Sequence, residues 1–192
     1  MADEAQQKIE GERDEELRAR PFNPLRVSNA ITAAFLACYF LLHALLGTIE
    51  IASQWRGAFE WAVWIGVGVI GVHIALSIAT TVSMFTDKVR PASPRKRQHQ
   101  MLKWMTGIAL LICIFMHIAS RGIDVDAPRF TDAATAVIVL AALVWHFFVG
   151  VKSFTHDLRI SSKLRTPARA IVAVAAAALA LALLIAVTAL AN

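Results

Sequence analysis

Residues 27–48 read VSNAITAAFLACYFLLHALLGT, a run of 22 residues that contains no Asp, Glu, Lys or Arg. An α-helix rises about 1.5 Å per residue and a bilayer core is about 30 Å thick, so this run is long enough to cross a membrane. Four further apolar runs cover residues 59–84, 101–120, 132–154 and 168–191. Because helices satisfy all their own backbone hydrogen bonds in lipid, the sequence predicts an all-α bundle of five transmembrane helices.

The charged residues are separated from these runs. The chain has 192 residues, of which 57% are hydrophobic and 17% charged, with a net charge of +5. We expect a charged cytoplasmic arm at residues 1–26 and a single transmembrane domain at residues 27–191. A soluble catalytic domain needs about 50 residues or more, which the connections do not offer. Any flavin, nucleotide or iron–sulfur chemistry is therefore expected on a partner chain.

The lysines and arginines indicate the orientation. Sixteen of the 19 lie in the N-terminal arm or near the connections after the second and fourth runs, and only Arg56, Arg121 and Arg129 lie on the other side. The positive-inside rule then predicts a cytoplasmic N-terminus and an external C-terminus, in a multi-pass protein of the cell's inner (cytoplasmic) membrane. Basic loops beside a membrane favour anionic lipid or an acidic docking partner over nucleic acid.

Four histidines lie inside the runs, one in each of the first four. Ionisable residues within a bilayer are costly and usually functional. His43 and His117 each lie 16 residues after the start of an outward-running helix, and His73 and His146 each lie 14 residues after the start of an inward-running one. This spacing predicts one pair near the outer surface and one in the cytoplasmic half, in layers roughly 15 Å apart.

Two layers of paired imidazoles suit two haems, each held by histidines from two helices, because neutral imidazole is a good iron ligand. A porphyrin against a helix needs small neighbours, and three of the four residues that follow the histidines by four positions are small. These positions are Gly47, Ser77, Arg121 and Gly150. Arg121 is expected to meet a haem propionate, and Gly66 shares a helix face with His73.

Other candidate residues are expected to be structural. His99 and His156 fall outside the apolar runs and are interpreted as solvated loop residues. Cys38 and Cys113 lie within apolar runs without a C-x-x-C motif and are interpreted as buried free thiols. The fifth run has no ionisable residue after Arg169 and many alanines, which is typical of a packing scaffold.

Two short motifs add to this pattern. The third run contains Trp104-Met105-Thr106-Gly107, with its histidine ten residues after the glycine, and the fourth contains His146-Phe147-Phe148-Val149-Gly150. The latter is similar to an H-F-x-x-G pattern. Over residues 24–190 the chain resembles the dihaem cytochrome b membrane anchor of succinate dehydrogenases and fumarate reductases. It departs from that family at Ser77, where a glycine would echo Gly150, and in having no acid between Thr135 and Phe154.

The resemblance implies two haem b groups, a distal one on His43 and His117 and a proximal one on His73 and His146. It also implies that a flavoprotein subunit and an iron–sulfur subunit dock on the cytoplasmic side and perform any dicarboxylate chemistry, which this chain does not catalyse alone. Electrons would pass between the iron–sulfur subunit and a membrane quinone, menaquinone or ubiquinone, by way of the proximal and distal haems.

A quinone headgroup near the distal haem needs hydrogen bonds and a proton donor or acceptor. The candidates near the external start of the second run are Arg56, Glu60, Trp61 and Trp64. Tryptophans and charges at the end of a span are also ordinary interfacial anchors, so this alternative stays open.

Two other functions remain open. One is the cytochrome b subunit of another quinone-linked complex, such as a hydrogenase or a formate dehydrogenase, although such subunits usually carry more than one ligand on a single helix. The other is a haem-free transporter or assembly anchor, for which Gly66, Gly68 and Gly71 are the supporting feature. The absence of a mid-membrane acid argues against a transporter.

Overall fold

The computed structural model describes residues 23–53, 60–86, 93–123 and 129–191, together with Glu12 and Glu15. Most of the predicted N-terminal arm therefore lies outside the described residues. Within them the protein forms five long α-helices and a short 3₁₀ turn at Ser162–Leu164. The long helices are α1 Pro24–Ser53, α2 Glu60–Thr86, α3 Pro94–Ile123, α4 Arg129–Asp157 and α5 Arg165–Ala191.

Each long helix contains a segment long and apolar enough to cross a membrane. These segments are Pro24–Glu50, Val63–Thr86, Pro94–Ser120, Ala133–Asp157 and Arg165–Thr188. The all-α class is thereby confirmed, with five helices long and apolar enough to span a membrane, and these helices extend beyond most of the apolar runs. The largest extension is at α3, which begins at Pro94, seven residues before the predicted 101.

Local capping explains the early starts of α1 and α3. Asn23 precedes Pro24, and its Oδ1 accepts a hydrogen bond from the backbone N–H of Arg26 at 3.2 Å. Ser93 precedes Pro94, and its Oγ lies 3.4 Å from the backbone nitrogen of Lys96. Asn and Ser are favourable N-caps and proline is favourable at the first helical position. Both helices therefore start at these caps and extend through polar residues.

The end of α4 is also well defined. Arg159 adopts a left-handed conformation with φ 55°. The N–H of Ile160 donates to the Thr155 carbonyl at 2.8 Å, and the N–H of Arg159 donates to the His156 carbonyl at 3.2 Å. This pair of bonds is a Schellman motif, which turns the chain toward α5.

Cross-helix contacts show that consecutive helices are antiparallel in three cases. Thr32 and Asn29 of α1 meet His73 and Ser77 of α2. Between α3 and α4, contacts join Thr106 to His146, Lys103 to Ser153 and His117 to Thr135. Between α4 and α5, Arg165 bonds to Thr155 and Arg169 to the Phe148 carbonyl, while Ala133 packs near Leu183. In each case one residue number rises as the other falls.

The helices pack unevenly. The main interfaces are α3 with α4, α1 with α2, and α5 with both α4 and α1. One buried cluster joins Leu110 of α3 to Val139 and Leu143 of α4. Helix α2 packs chiefly against α1, which leaves space between α2 and the α3–α4 pair. The packing of α5 against two helices agrees with its expected role as a scaffold.

The outward faces of the helices are apolar. Trp64, Phe115 and Val174 are exposed by 74%, 72% and 69%, as expected for side chains that contact lipid. The expectation for Cys38 was wrong, because this free thiol is exposed rather than buried. It lies on a face of α1 that also exposes Phe35 and Leu42. Hydrophobicity does not separate the lipid-facing side of a helix from the packed side.

Candidate functional site

Two cavities lie within the bundle, and each is lined by one of the predicted histidine pairs. His43 of α1 and His117 of α3 line a cavity of about 110 Å³, here named the His43/His117 cavity. His73 of α2 and His146 of α4 line a cavity of about 770 Å³, the His73/His146 cavity. The structure thus brings together the pairs that the depth of each histidine predicted, each pair from two different helices.

His146 is held by two consecutive residues of α3. Its Nδ1 lies 2.9 Å from the hydroxyl oxygen of Thr106, whose side chain is almost completely buried. Beside it, Gly107 leaves room for the ring, since a Cβ at that position would lie 3.2 Å from Cε1 of His146. Thr106 and Gly107 therefore define where the imidazole of α4 sits.

His73 is held in a similar way by α1. Its Nδ1 lies 3.1 Å from the hydroxyl oxygen of Thr32. The carbonyl of Asn29 accepts a bond from the Thr32 hydroxyl at 3.0 Å, and the Asn29 side chain accepts a bond from Ser77 at 3.0 Å. His73 and His146 line the same cavity from α2 and α4. Both histidines of this cavity thus contact, through Nδ1, the hydroxyl of a threonine on a neighbouring helix.

In the His43/His117 cavity, the two histidines have different surroundings. His117 Nδ1 lies 3.0 Å from the Thr135 hydroxyl oxygen of α4. His43 is stacked against Tyr39 of the same helix, with ring centroids 5.8 Å apart and planes inclined by 12°. The Tyr39 ring lies over Gly66 of α2, where any Cβ would overlap it.

Three threonine hydroxyls contact a histidine Nδ1 and a carbonyl of their own helix. A hydroxyl has one proton to donate. In Thr32 it is directed to the Asn29 carbonyl at 3.0 Å, in Thr106 to the Leu102 carbonyl at 3.0 Å, and in Thr135 to the Thr131 carbonyl at 3.0 Å. Each hydroxyl oxygen is thereby placed to accept a hydrogen bond from Nδ1 of its histidine when that nitrogen carries the ring proton. In this tautomer Nε2 keeps its lone pair, the form that binds a metal.

These threonines were missed in the sequence, although a spacing marks them. Thr32 precedes His43 by 11 residues, Thr106 precedes His117 by 11, and Thr135 precedes His146 by 11. Eleven residues are about three helical turns, so threonine and histidine share one face about 16 Å apart. In an antiparallel neighbouring helix the threonine lies at the depth of the first helix's histidine and the histidine at the depth of its threonine. Each threonine can therefore contact the histidine of the neighbouring helix. The distance agrees with the predicted separation of the layers.

The small residues near the histidines line the cavities. Gly47 lines the His43/His117 cavity, and Ser77 and Gly150 line the His73/His146 cavity. A Cβ at Gly47 or Gly150 would meet no atom within 4 Å. Gly66 shares a face with His73 but lines the other cavity, one layer away. Arg121 lies in α3, and its side chain is outside the part that the structure describes.

One end of the His73/His146 cavity is strongly basic. The cations that line it are Arg26, Arg95, Lys96, Lys103, Lys152 and Arg165. Lys103 donates to Ser153 Oγ at 3.2 Å, which joins α3 to α4. This end contains the starts of α1, α3 and α5 and the ends of α2 and α4, where the sequence concentrates its positive charge.

The expectation for the two remaining histidines was wrong. His99 and His156 are helical, not loop residues, and both line the His73/His146 cavity. The reason is the extension of α3 and α4 beyond their apolar runs. His99 Nε2 is buried and has no hydrogen-bond partner among the described residues, and His156 Nδ1 lies 3.3 Å from Asp157 Oδ1.

The proposed quinone residues are only partly described. Arg56 and the side chain of Glu60 lie outside the described residues. Trp61 and Trp64 are exposed by 66% and 74%, on the outward side of α2, and line neither cavity.

The donor set of the His73/His146 cavity fits a haem. Two imidazoles, His73 and His146, line a space of about 770 Å³, which is in the roughly 300–1,000 Å³ range of small-molecule and cofactor sites. Lysines and arginines, which could pair with the carboxylates of a haem, line one end of this cavity. The His43/His117 cavity offers two histidines, but its volume is below that range. Among the described residues no group of three or more His, Cys, Asp or Glu is arranged to hold a metal ion. The chain matches no protein-family model, no curated protein and no solved structure.

Proposed function

We propose that this chain is a cytochrome b membrane anchor of the succinate dehydrogenase and fumarate reductase type. It carries two b-type haems and transfers electrons between cytoplasmic flavoprotein and iron–sulfur partners and a membrane quinone. The main support is the pairing of His73 and His146, from two helices, at one cavity of about 770 Å³. The threonine contacts at Nδ1 of both rings add to it, because they engage the nitrogen that is not needed for iron.

In this proposal His73 and His146 would hold one haem iron, and the haem would supply one-electron redox chemistry when bound. The chain's own residues orient and enclose it. Thr32 and Thr106 contact the two rings, Gly150 leaves space in the cavity, and the cations at the basic end would neutralise the haem propionates.

The second site is supported by its donors rather than by its volume. His43 and His117 face the same cavity and repeat the helix spacing of the first pair. Because that cavity is about 110 Å³, binding a haem there requires its lining, which includes the Tyr39 ring stacked on His43, to move apart. We therefore expect this site to be the more sensitive to changes in the packing of α1 and α2.

A haem count and a reduced-minus-oxidised spectrum of the purified chain test the proposal. We expect two b-type haems. His73→Ala and His146→Ala should each remove one haem, the same one, while His43→Ala and His117→Ala should each remove the other. Each pair is the control for the other pair.

Other results would change the conclusion. A chain without haem would exclude a cytochrome and favour the haem-free transporter or assembly anchor. A single haem lost with His73 or His146 but retained in the His43 and His117 variants would limit the proposal to one site. For the quinone residues, unchanged quinone turnover after Glu60→Gln would remove Glu60 from the proposed site.

A further inference from the structure

Thr32 and Thr106 contact the ring nitrogens that would not bind iron. We infer that these two threonines are positioning residues, which set the tautomer of His73 and His146 and strengthen Nε2 as an iron donor. The part of this inference that concerns iron rests on the proposed function, whereas the part that concerns the tautomer does not.

The first step is the direction of the hydrogen bonds. Thr106 Oγ1 lies 3.0 Å from the Leu102 carbonyl and 3.1 Å from the Lys103 carbonyl, so its single proton is engaged by its own helix. Its oxygen is then an acceptor toward His146 Nδ1, 2.9 Å away. Thr32 has the same arrangement, with Asn29 as its carbonyl partner and His73 as its donor.

The second step is that neither water nor a shift of the ring readily replaces the contact between Thr106 and His146. This side chain is 1% exposed, so water has almost no access to the bond. The neighbouring Gly107 approaches the ring so closely that a Cβ would lie 3.2 Å from Cε1 of His146. The ring is therefore held at one edge by a hydrogen bond and beside it by a close contact from the same helix.

The third step is electronic. An acceptor at Nδ1–H draws that proton away from the ring and raises the basicity of the ligating nitrogen. A more basic ligand stabilises oxidised iron more than reduced iron, so it lowers the reduction potential. Loss of the acceptor should raise the potential of the haem in the His73/His146 cavity.

The variant Thr106→Val tests this step, because valine keeps the shape of threonine and removes the oxygen. Loss of a partner that orients a metal-binding histidine typically lowers metal affinity or activity 10–100-fold, and we take the lower end of that range as the scale of the change in the redox equilibrium. At the wild-type midpoint potential we expect the ratio of reduced to oxidised haem in the variant to be about tenfold higher. For a one-electron couple this ratio corresponds to a rise in midpoint potential of about 59 mV. Thr106→Ser restores the hydroxyl and should return the potential toward the wild-type value. An unchanged potential in Thr106→Val, with both haems retained, would refute the role in tuning while the proposed function stands.

A second measurement does not depend on haem. Nitrogen-15 NMR of the full chain, prepared without haem in lipid nanodiscs, reports the tautomer of each histidine, and His146→Ala identifies the relevant signal. We expect Nδ1–H at His146 in the wild type and in Thr106→Ser, and a population of Nε2–H in Thr106→Val. A wild-type ring with its proton on Nε2 would overturn the inference even if the chain binds haem. Conversely, the Nδ1–H tautomer in a chain that takes up no haem would retain the positioning role and reject the proposed function.

Discussion

Single glycines decide how much space lies beside the candidate ligands. Gly47 follows His43 by four residues and Gly150 follows His146 by four, which places each about one turn from a ring. A Cβ at either position would meet no atom within 4 Å. Gly107 has the opposite role, because its missing side chain allows His146 to approach α3. Glycine therefore leaves open space beside the ring at two of these positions and permits a close contact between helices at the third.

Gly150→Leu should fill the His73/His146 cavity without disturbing the packed core. We expect loss of most of the haem bound by His73 and His146, retention of the other haem, and a thermal unfolding temperature near that of the wild type. The measurement is a haem count with a thermal unfolding curve on the purified chain. Gly68→Leu is the matched control, since Gly68 is exposed on α2 and lines neither cavity, and a Cβ there would also meet no atom within 4 Å. Equal haem content in the two variants would contradict the role of Gly150.

At the scale of helices, Thr81 links α2 to α3. Its hydroxyl oxygen accepts hydrogen bonds from Gln100 Nε2 at 2.8 Å and from the indole N–H of Trp104 at 3.1 Å. The Thr81 proton goes to the Ser77 carbonyl within α2. Because α2 otherwise packs chiefly on α1, this three-residue junction helps to close the gap that contains the His73/His146 cavity.

Thr81→Val should leave the two donors of α3 without their acceptor. A buried donor that loses its partner costs about 1–3 kcal/mol, so we expect the free energy of unfolding to fall by about that amount. Denaturant unfolding in detergent micelles measures the change. The control is Thr86→Val on the same helix, because the Thr86 hydroxyl is exposed and, among the residues that the structure describes, donates only to the Val82 carbonyl at 2.9 Å. A destabilisation of equal size in both variants would show that Thr81 has no special role.

Across the whole molecule, the positively charged side chains lie at the same end of the helices as the larger cavity. The basic end contains the cations around the His73/His146 cavity, while the His43/His117 cavity lies about three helical turns toward the other end. If the positive-inside rule sets the orientation, the larger cavity lies on the cytoplasmic side, next to the expected iron–sulfur partner. The smaller cavity then lies on the external side, where the quinone site is proposed.

Reporter fusions test this orientation. Alkaline phosphatase fused after Asn192 should be active, since that enzyme folds only outside the cytoplasm, and green fluorescent protein fused there should not fluoresce after export. The same pair of reporters fused after Arg90, in the basic connection between α2 and α3, should give the opposite result and is the internal control. An inactive phosphatase at Asn192 would contradict the predicted topology.

Much of the architecture was predictable because it depends on quantities that a linear sequence contains. The thickness of a bilayer sets the length of an apolar run, and the constant rise of a helix turns a histidine's position into a depth. These two facts gave the five spans and the grouping of His43 with His117 and of His73 with His146. The threonine spacing was equally visible, but its meaning depends on an antiparallel neighbour at the right register.

The amino-acid sequence by itself determined the helical class, the spans and the layers of histidines, because bilayer thickness and helical rise are the same in any bundle. Only the tertiary structure decided which helix faces turn inward. It placed Cys38 outside, Gly66 beside Tyr39 and His99 at a cavity, and it made one cavity large and the other small. The physical reason is that lipid and a protein core are both apolar. Hydrophobicity therefore drives a helix into the membrane, but packing and hydrogen bonds between particular side chains decide how it is rotated there.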